Sequence, residues 1–219
     1  ITTAFVKKFE KEILETYKKH HALNSTGDRA LKNLLMHQLV TAGSTEGLSL
    51  CEKQYQTATN MTDSLHALIV LCDSNSPQKD NALKDFYQKW SADSVVFNKW
   101  LSAQAMSKTG NTFESVQKCT QVVGFDKNNP NNMYSLHNVF AGNYLKFHSD
   151  SEPTYQWYCD EILRIDAVNP QVAARLSSAF NFTKKLPDHL KKIAQTEISR
   201  VLKSEKLSKN AREILEKCI

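Results

Sequence analysis

The side chains best suited to bind a ligand lie at the start of one predicted helix, in the segment N-P-Q-V-A-A-R-L at residues 169–176. Gln171 and Arg175 are four residues apart, so a helix places them one turn apart on the same face. An amide and a guanidinium near a helix N-terminus form a donor-rich patch that suits carboxylates or peptide carbonyls. The competing interpretation is an arginine tied to a neighbouring helix, and the pattern alone leaves both open.

The motifs that usually carry catalysis are absent from the sequence. It contains no H-E-x-x-H, in which two imidazoles one helical turn apart bind zinc beside a glutamate base, and no G-x-S-x-G, P-loop or G-x-G-x-x-G. None of the seven histidines has a second His or a Cys three or four residues away. We therefore expect no catalytic residue and no metal ligand in this chain, and we interpret His66, in an apolar segment, as a hydrogen-bonded core histidine.

The composition favours helices as the elements that position these side chains. Hydrophobic residues make up 41% of the 219, enough for a sizeable core, but there are only 6 Gly and 5 Pro. These two residues together reach about 12% in average proteins. So few turn-forming residues leave little room for the tight turns of a β-sandwich or barrel.

The pattern of capping residues and apolar positions predicts an all-α fold. Ser76-Pro77, Asn129-Pro130 and Asn169-Pro170 each place a capping side chain before a proline suited to the first helical position, and Asn111 with Glu114 fits a cap followed by an acid at the third position. Period-2 alternation is nowhere sustained, so we predict no strands. We expect one all-α domain over residues 1–219, a superhelical, α-solenoid-like array of short antiparallel helices.

The charge distribution argues against a nucleic-acid-binding protein. The last 38 residues carry 10 Lys and Arg against 5 Asp and Glu, whereas the first 181 residues carry 18 of each. A nucleic-acid groove is expected to be basic along a whole face. The net charge of +5 therefore indicates a solvated basic end.

Cysteine usage and hydropathy suggest a cytoplasmic protein that does not enter membranes. The five cysteines are odd in number, irregularly spaced and without C-x-x-C, which is a poor pattern for disulfides or zinc. No apolar run approaches the roughly 20 residues of a membrane span. No signal-peptide pattern opens the sequence.

Six segments resemble, in the same order, the C-terminal helical domain of aminopeptidase N, in the bacterial-type alanyl branch of the gluzincin zinc aminopeptidases. The first is N-M-T-D-S-L-H-A-L at residues 60–68, which is similar to the family signature N-M-T-D-x-L-x-A-L. The resemblance is clear from about Arg29 to Leu176. The other five segments are F-Y-Q-K-W at 86–90, V-F-N-K-W at 96–100 with Gln104-Ala105, N-P-N at 129–131 with Ser135-Leu136, Phe147-His148, and residues 169–176.

The resemblance implies that the chain is the later part of the C-terminal helical domain of a larger enzyme. Such an enzyme removes N-terminal amino acids from peptides and holds zinc through H-E-x-x-H and a more distant Glu in an upstream catalytic domain that this chain does not contain. The helical domain would wall and gate the chamber that peptides enter. Its partners would be the peptide substrates and the catalytic domain of the same chain.

The resemblance also assigns candidate substrate-channel residues. Gln171 and Arg175 match the Gln and Arg of the family pattern N-P-Q-V-A-x-R-L, which face the chamber. Tyr134 stands where some relatives carry an Arg in N-P-N-x-x-R-S-L. One cationic contact to the C-terminal side of the substrate would therefore be missing here.

The principal alternative is a free-standing α-solenoid module that binds a protein partner and has no enzymatic activity. The two hypotheses differ in whether the open reading frame continues upstream into H-E-x-x-H.

Because the sequence holds no H-E-x-x-H, we predict that this chain alone does not hydrolyse alanyl chromogenic substrates and binds no stoichiometric zinc. Chromogenic assays and metal analysis of the purified chain check this. One tightly bound zinc per chain together with measurable turnover would contradict it.

Overall fold

Helices provide all the regular secondary structure of residues 2–23, 25–149 and 151–219, the part of the chain that the computed structural model describes. The all-α prediction is confirmed for these residues. Contacts divide the chain into two units, residues 1–93 and 94–219. In the described part of the chain, no helix is both long and apolar enough to span a bilayer.

The first unit contains six helices in its described residues. They are α1 (Thr2–Lys8), α2 (Glu10–Leu23), α3 (Thr26–Thr41), α4 (Thr45–Thr57), α5 (Met61–Cys72) and α6 (Lys79–Trp90). The second unit contains nine α-helices in its described residues, three of them only four residues long. They are α7 (Ser94–Ala105), α8 (Thr112–Cys119), α9 (Pro130–Met133), α10 (Val139–Gly142), α11 (Tyr144–Phe147), α12 (Ser151–Asp166), α13 (Pro170–Ser177), α14 (Asp188–Leu202) and α15 (Lys209–Glu216), with a π-helical turn at Tyr134–Asn138 and 3₁₀ turns at Ser178–Phe180 and Thr183–Lys185.

Most of the predicted helix starts are confirmed. The side chains of Asn111, Asn129 and Asn169 each accept a hydrogen bond from a backbone N–H of the first turn of α8, α9 and α13. The prediction at Ser76 was wrong, because α6 begins at Lys79. The Ser76 hydroxyl oxygen instead accepts a bond from the N–H of Gln78, 3.0 Å away, and so forms a turn ahead of the helix.

A buried carboxylate, Asp63, joins three helices of the first unit. Its Oδ2 accepts a hydrogen bond from Lys32 Nζ of α3 at 2.9 Å, and its Oδ1 accepts one from Asn33 Nδ2 at 3.1 Å. Asn60 caps α5 and also donates to Asp63 at 3.0 Å. From α4, Gln54 donates to the backbone oxygen of Asp63 at 3.2 Å. The N-M-T-D segment therefore connects α5 to α3 and α4.

The hydrogen-bonding environment keeps Asp63 ionised. Burial alone would raise the pKa of this carboxyl, but the hydrogen bonds from Lys32, Asn60 and Asn33 outweigh burial and hold the pKa below its ordinary value. Lys32 and Asp63 have side chains only 3% and 6% exposed. Two opposite charges are thus buried together, and each depends on the other for compensation.

Aromatic rings form much of the core of the second unit. Phe140, Phe147, Tyr155, Tyr158 and Phe180 are all buried, and neighbouring pairs of these rings lie edge-on or tilted. Such pairs add to the free energy gained by burying their area. The rings bring α10, α11, α12 and the turn after α13 together, and this arrangement positions the ligand-binding candidates.

We predict that Lys32→Met destabilises the chain by about 3–5 kcal/mol, because it leaves the Asp63 charge buried without its cation. Urea denaturation at neutral pH measures the change. Lys18→Met is the matched control, since the Lys18–Glu46 ion pair is at least half exposed and such pairs contribute about 0–1 kcal/mol. Equal effects of the two substitutions would contradict the role assigned to the buried pair.

Candidate functional site

Helix α13 presents Gln171 and Arg175 to solvent, as their spacing predicts. Asn169 begins the helix by accepting a hydrogen bond from the N–H of Val172 at 3.2 Å. The opposite face buries Val172, Ala173, Leu176 and Ser177, and both polar candidates are exposed. Packing of the apolar face therefore fixes which way the donor-rich face points.

Tyr134 contributes a third side chain from a different helical segment. The structure places the Arg175 guanidinium carbon 4.4 Å from the centre of the Tyr134 ring. A cation within about 6 Å of an aromatic centre is attracted by the negative face of the ring. The structure thus brings together two of the three candidates, and Gln171 lies one turn before Arg175.

The polar groups of this site make no hydrogen bonds within the described part of the chain. The Arg175 guanidinium has no carboxylate or carbonyl partner among those residues, and neither the Gln171 amide nor the Tyr134 hydroxyl is bonded there. Arg175 instead contacts an aromatic ring of a neighbouring helical segment, so both interpretations of this arginine, ligand binding and a tie to a neighbouring helix, stay open. Its partner is an aromatic face, so the N–H donors at the guanidinium edge are available to a ligand.

A π-helical turn sets the position of Tyr134. Residues 130–142 form one continuous helical segment whose middle, Tyr134–Asn138, has the wider π geometry. The neighbouring residues Met133, Leu136 and His137 are buried, whereas Tyr134 is half-buried. Such turns recur at functional sites because the wider turn changes the direction of nearby side chains.

Two contacts from other helices of the second unit support this turn. The Ser102 hydroxyl of α7 lies 2.9 Å from the backbone oxygen of Ser135, to which it can donate. On the inner side, His137 stacks on Trp157 of α12, with ring centres 4.9 Å apart and planes inclined by 10°. The turn that carries Tyr134 is therefore packed from two directions.

His137 is a buried neutral histidine that the spacing of residues did not single out. Its ring is fully buried, and burial, followed by the nearby charges of Arg164 and Lys127, lowers its pKa to about 3. Glu161 Oε2 lies 3.6 Å from its Nε2, too far for a hydrogen bond. The sequence contained no signal for this role, because the burial of His137 depends on residues from other helices.

No group of three or more His, Cys, Asp or Glu in the described ranges is arranged to hold a metal ion. His66 of α5 has a structural partner, since its Nε2 lies 2.9 Å from the backbone oxygen of Asn33. This contact confirms that His66 is hydrogen-bonded, but the residue is half-buried and does not lie in the core.

The first unit has two cavities of about 290 and 270 Å³ that share Tyr55, Gln56 and Lys89. Three of the polar side chains that line them are bonded to one another. Asp85 Oδ2 accepts hydrogen bonds from the Tyr55 hydroxyl and from Lys89, both at 2.8 Å. These cavities include none of the residues that the sequence proposed for ligand binding.

The whole chain matches one protein-family model. Residues 1–219 fit the model described as a domain of unknown function, DUF3458_C, made of ARM repeats. ARM repeats stack short helices into a solenoid. The predicted α-solenoid-like fold class is therefore confirmed.

Several curated relatives are named aminopeptidase N. The Haemophilus influenzae protein is 35% identical over 192 residues, which is 87% of this chain and 22% of that protein. The Caulobacter vibrioides protein is 30% identical over 196 residues, 89% of this chain and 23% of the relative. The Escherichia coli K12 protein is 33% identical over 149 residues, which is 68% of this chain and 17% of that protein. This chain thus spans less than a quarter of these relatives.

A solved structure has the same fold. Legionella pneumophila aminopeptidase A, solved in complex with aspartic acid, superposes on all of this chain with a TM-score of 0.90 and 25% identity. The matched region is 27% of the Legionella chain. Sequence and structure comparisons therefore agree with the resemblance to the C-terminal helical domain of aminopeptidase N.

The buried neutral His137 generates a pH prediction. In the unfolded chain a histidine binds a proton near pH 6.5, whereas folded His137 stays neutral until about pH 3. Acidification below pH 6.5 therefore favours the unfolded chain, by at most about 1.4 kcal/mol per pH unit. We expect the free energy of unfolding of His137→Phe, relative to wild type, to rise as the pH falls from 6.5 to 4.5.

Urea denaturation across this pH range measures that difference. His189→Gln serves as the control, because the His189 side chain is exposed and its replacement should leave a curve parallel to that of wild type. Parallel curves for His137→Phe and wild type would contradict the assignment of His137 as a buried neutral base.

Proposed function

The chain belongs to the DUF3458_C family of ARM-repeat domains, and we propose that it is the C-terminal helical domain of a zinc-dependent aminopeptidase that removes N-terminal amino acids from peptides. In this proposal it walls and gates the substrate chamber and performs no bond cleavage itself. The observation that carries the proposal is the match of nearly the whole chain to part of proteins named aminopeptidase N.

The catalytic machinery belongs, in this proposal, to an upstream domain of the same polypeptide. The described residues hold no cluster fit to bind zinc, so the residues of this chain would not hold the metal. When bound in the catalytic domain, zinc would supply Lewis-acid activation of water and the peptide carbonyl. Our proposal for this chain concerns only how its side chains bind and orient the substrate.

The donor-rich face of α13 supports a role in binding the far end of the peptide. Arg175 is exposed, and its guanidinium is engaged by a ring and by no carboxylate of the described residues. A guanidinium pairs with a carboxylate through two parallel N–H bonds, a geometry that lysine cannot reproduce. We assign Arg175 to the C-terminal carboxylate of short peptides and Gln171 to an adjacent carboxylate or peptide carbonyl.

The cysteines agree with a protein that works in a reducing compartment. All five are free and buried, and burial raises the pKa of Cys51 and Cys72 to about 12. Such thiols are unreactive at neutral pH, because only the thiolate is a strong nucleophile. We therefore propose the cytoplasm as the place of action.

Reading the gene upstream of this segment tests the assignment directly. We expect an open reading frame that continues into a catalytic domain with H-E-x-x-H and a more distant Glu. A gene that encodes only a helical solenoid would favour the alternative, a protein-binding module without enzymatic activity.

We predict that Arg175→Ala in the full-length enzyme raises KM for short peptides with a free C-terminal carboxylate. A hydrogen bond to a charged group contributes about 1.5–3 kcal/mol, which corresponds to roughly tenfold to a hundredfold in affinity. The affinity for the C-terminal amide of the same peptide should fall far less. Measuring kcat and KM for a tripeptide and its amide checks the prediction.

Two further variants separate binding from stability. Arg175→Lys keeps the charge but loses the fork, so it should restore affinity only in part. Arg212→Ala is a structural control, because Arg212 donates to the backbone oxygens of Leu202 and Ser204, each at 2.9 Å. It should lower the melting temperature and affect all substrates alike. If Arg175→Ala behaved as Arg212→Ala does, Arg175 would have no role in substrate binding.

A further inference from the structure

The contact between Tyr134 and Arg175 occupies only part of the guanidinium, and the rest can bind a ligand. The ring lies against the guanidinium, with 4.4 Å between the guanidinium carbon and the ring centre. The five N–H donors of a guanidinium all lie in its plane and point outward from its edge. A single ring at this distance therefore restrains the guanidinium and still leaves some of its N–H donors accessible.

The two side chains differ in how firmly the fold holds them. Tyr134 is half-buried in a helical segment whose neighbours Met133 and Leu136 are fully buried, and Ser102 supports the same turn. Arg175 is exposed, and a long exposed arginine samples many rotamers. Contact with a fixed ring removes part of that freedom before a ligand arrives, and such preorganisation strengthens binding.

We infer that Tyr134 is a positioning residue: its ring holds the Arg175 guanidinium so that the edge donors meet the single C-terminal carboxylate of a short peptide. This inference rests on the proposed function and deepens it, because it names a second residue that determines substrate preference. Tyr134 acts through Arg175, and the phenol hydroxyl is not required.

The identity of residue 134 then changes the electrostatics of the site. An Arg at this position would place a second cation beside Arg175, and like charges at short range repel. The tyrosine ring attracts the guanidinium instead. The resulting site carries one oriented cation, which matches one carboxylate, and the substrate class is short peptides with a free, singly charged C-terminus.

The test uses the full-length enzyme with an alanine tripeptide and its C-terminal amide. Tyr134→Phe keeps the ring and should leave KM for the free acid within about twofold of wild type. Tyr134→Leu removes the aromatic face and should raise that KM about three- to tenfold, as expected for loss of a cation–π contact. For Tyr134→Leu, the KM of the amide should rise far less than the KM of the free acid.

The same substitutions in an Arg175→Ala background complete a double-mutant cycle. Once the guanidinium is absent, Tyr134→Leu should have no further effect on KM, because coupled residues are not additive. Tyr134→Met provides a second non-aromatic variant, and Tyr134→Trp should bind the free acid at least as well as wild type, since Trp is the strongest cation–π partner. Melting temperatures establish that each compared variant is folded.

The results distinguish this inference from the proposed function. A carboxylate-specific effect of Arg175→Ala without one of Tyr134→Leu or Tyr134→Met would overturn only the positioning role. Tyr134 would be merely structural if its non-aromatic variants raised KM equally for the acid and the amide. The same conclusion would follow if they raised KM by the same factor when Arg175 is absent. If Arg175→Ala changes KM equally for the acid and the amide, the proposal that Arg175 binds the substrate carboxylate is wrong.

Discussion

A chain made of short helices must find partners for the backbone N–H groups at every helix start, and side-chain caps meet this requirement repeatedly here. Ser44, Asn60, Asn111, Asn169 and Ser208 each accept a hydrogen bond from the first turn of a helix. Without these acceptors, up to four donors per helix would depend on solvent or ligands. In several places the cap also joins a wider network, so the start of one helix is linked to the position of another.

The buried Asp63 shows how capping leads to tertiary structure. Asn60 begins α5 and bonds to Asp63, which in turn holds Lys32 and Asn33 of α3. A comparable arrangement occurs in the second unit, where Asp166 at the end of α12 accepts bonds from the backbone and hydroxyl of Ser208 ahead of α15. Because charged groups are costly to bury without compensation, these networks favour one packing arrangement over alternatives.

Helix capping and burial also orient the side chains of the candidate site. Asn169 fixes the start of α13, and burial of Val172 and Leu176 fixes its rotation, so Gln171 and Arg175 face outward. The π turn and its packing hold Tyr134 against Arg175. Arg175 is thus an exposed cation beside an aromatic ring.

Features that depend on neighbours within one helical turn could be predicted from the sequence: the all-α class, the caps at Asn129 and Asn169, and the shared face of Gln171 and Arg175. The sequence also carried the family resemblance. Tertiary structure alone decided that Ser76 forms a turn ahead of α6, that a π turn interrupts residues 130–142, and that Tyr134 contacts Arg175. Capping and helical periodicity involve bonds between residues a few positions apart, so they can be read locally. Tyr134 and Arg175 lie on separate helical segments, so only tertiary packing brings them together.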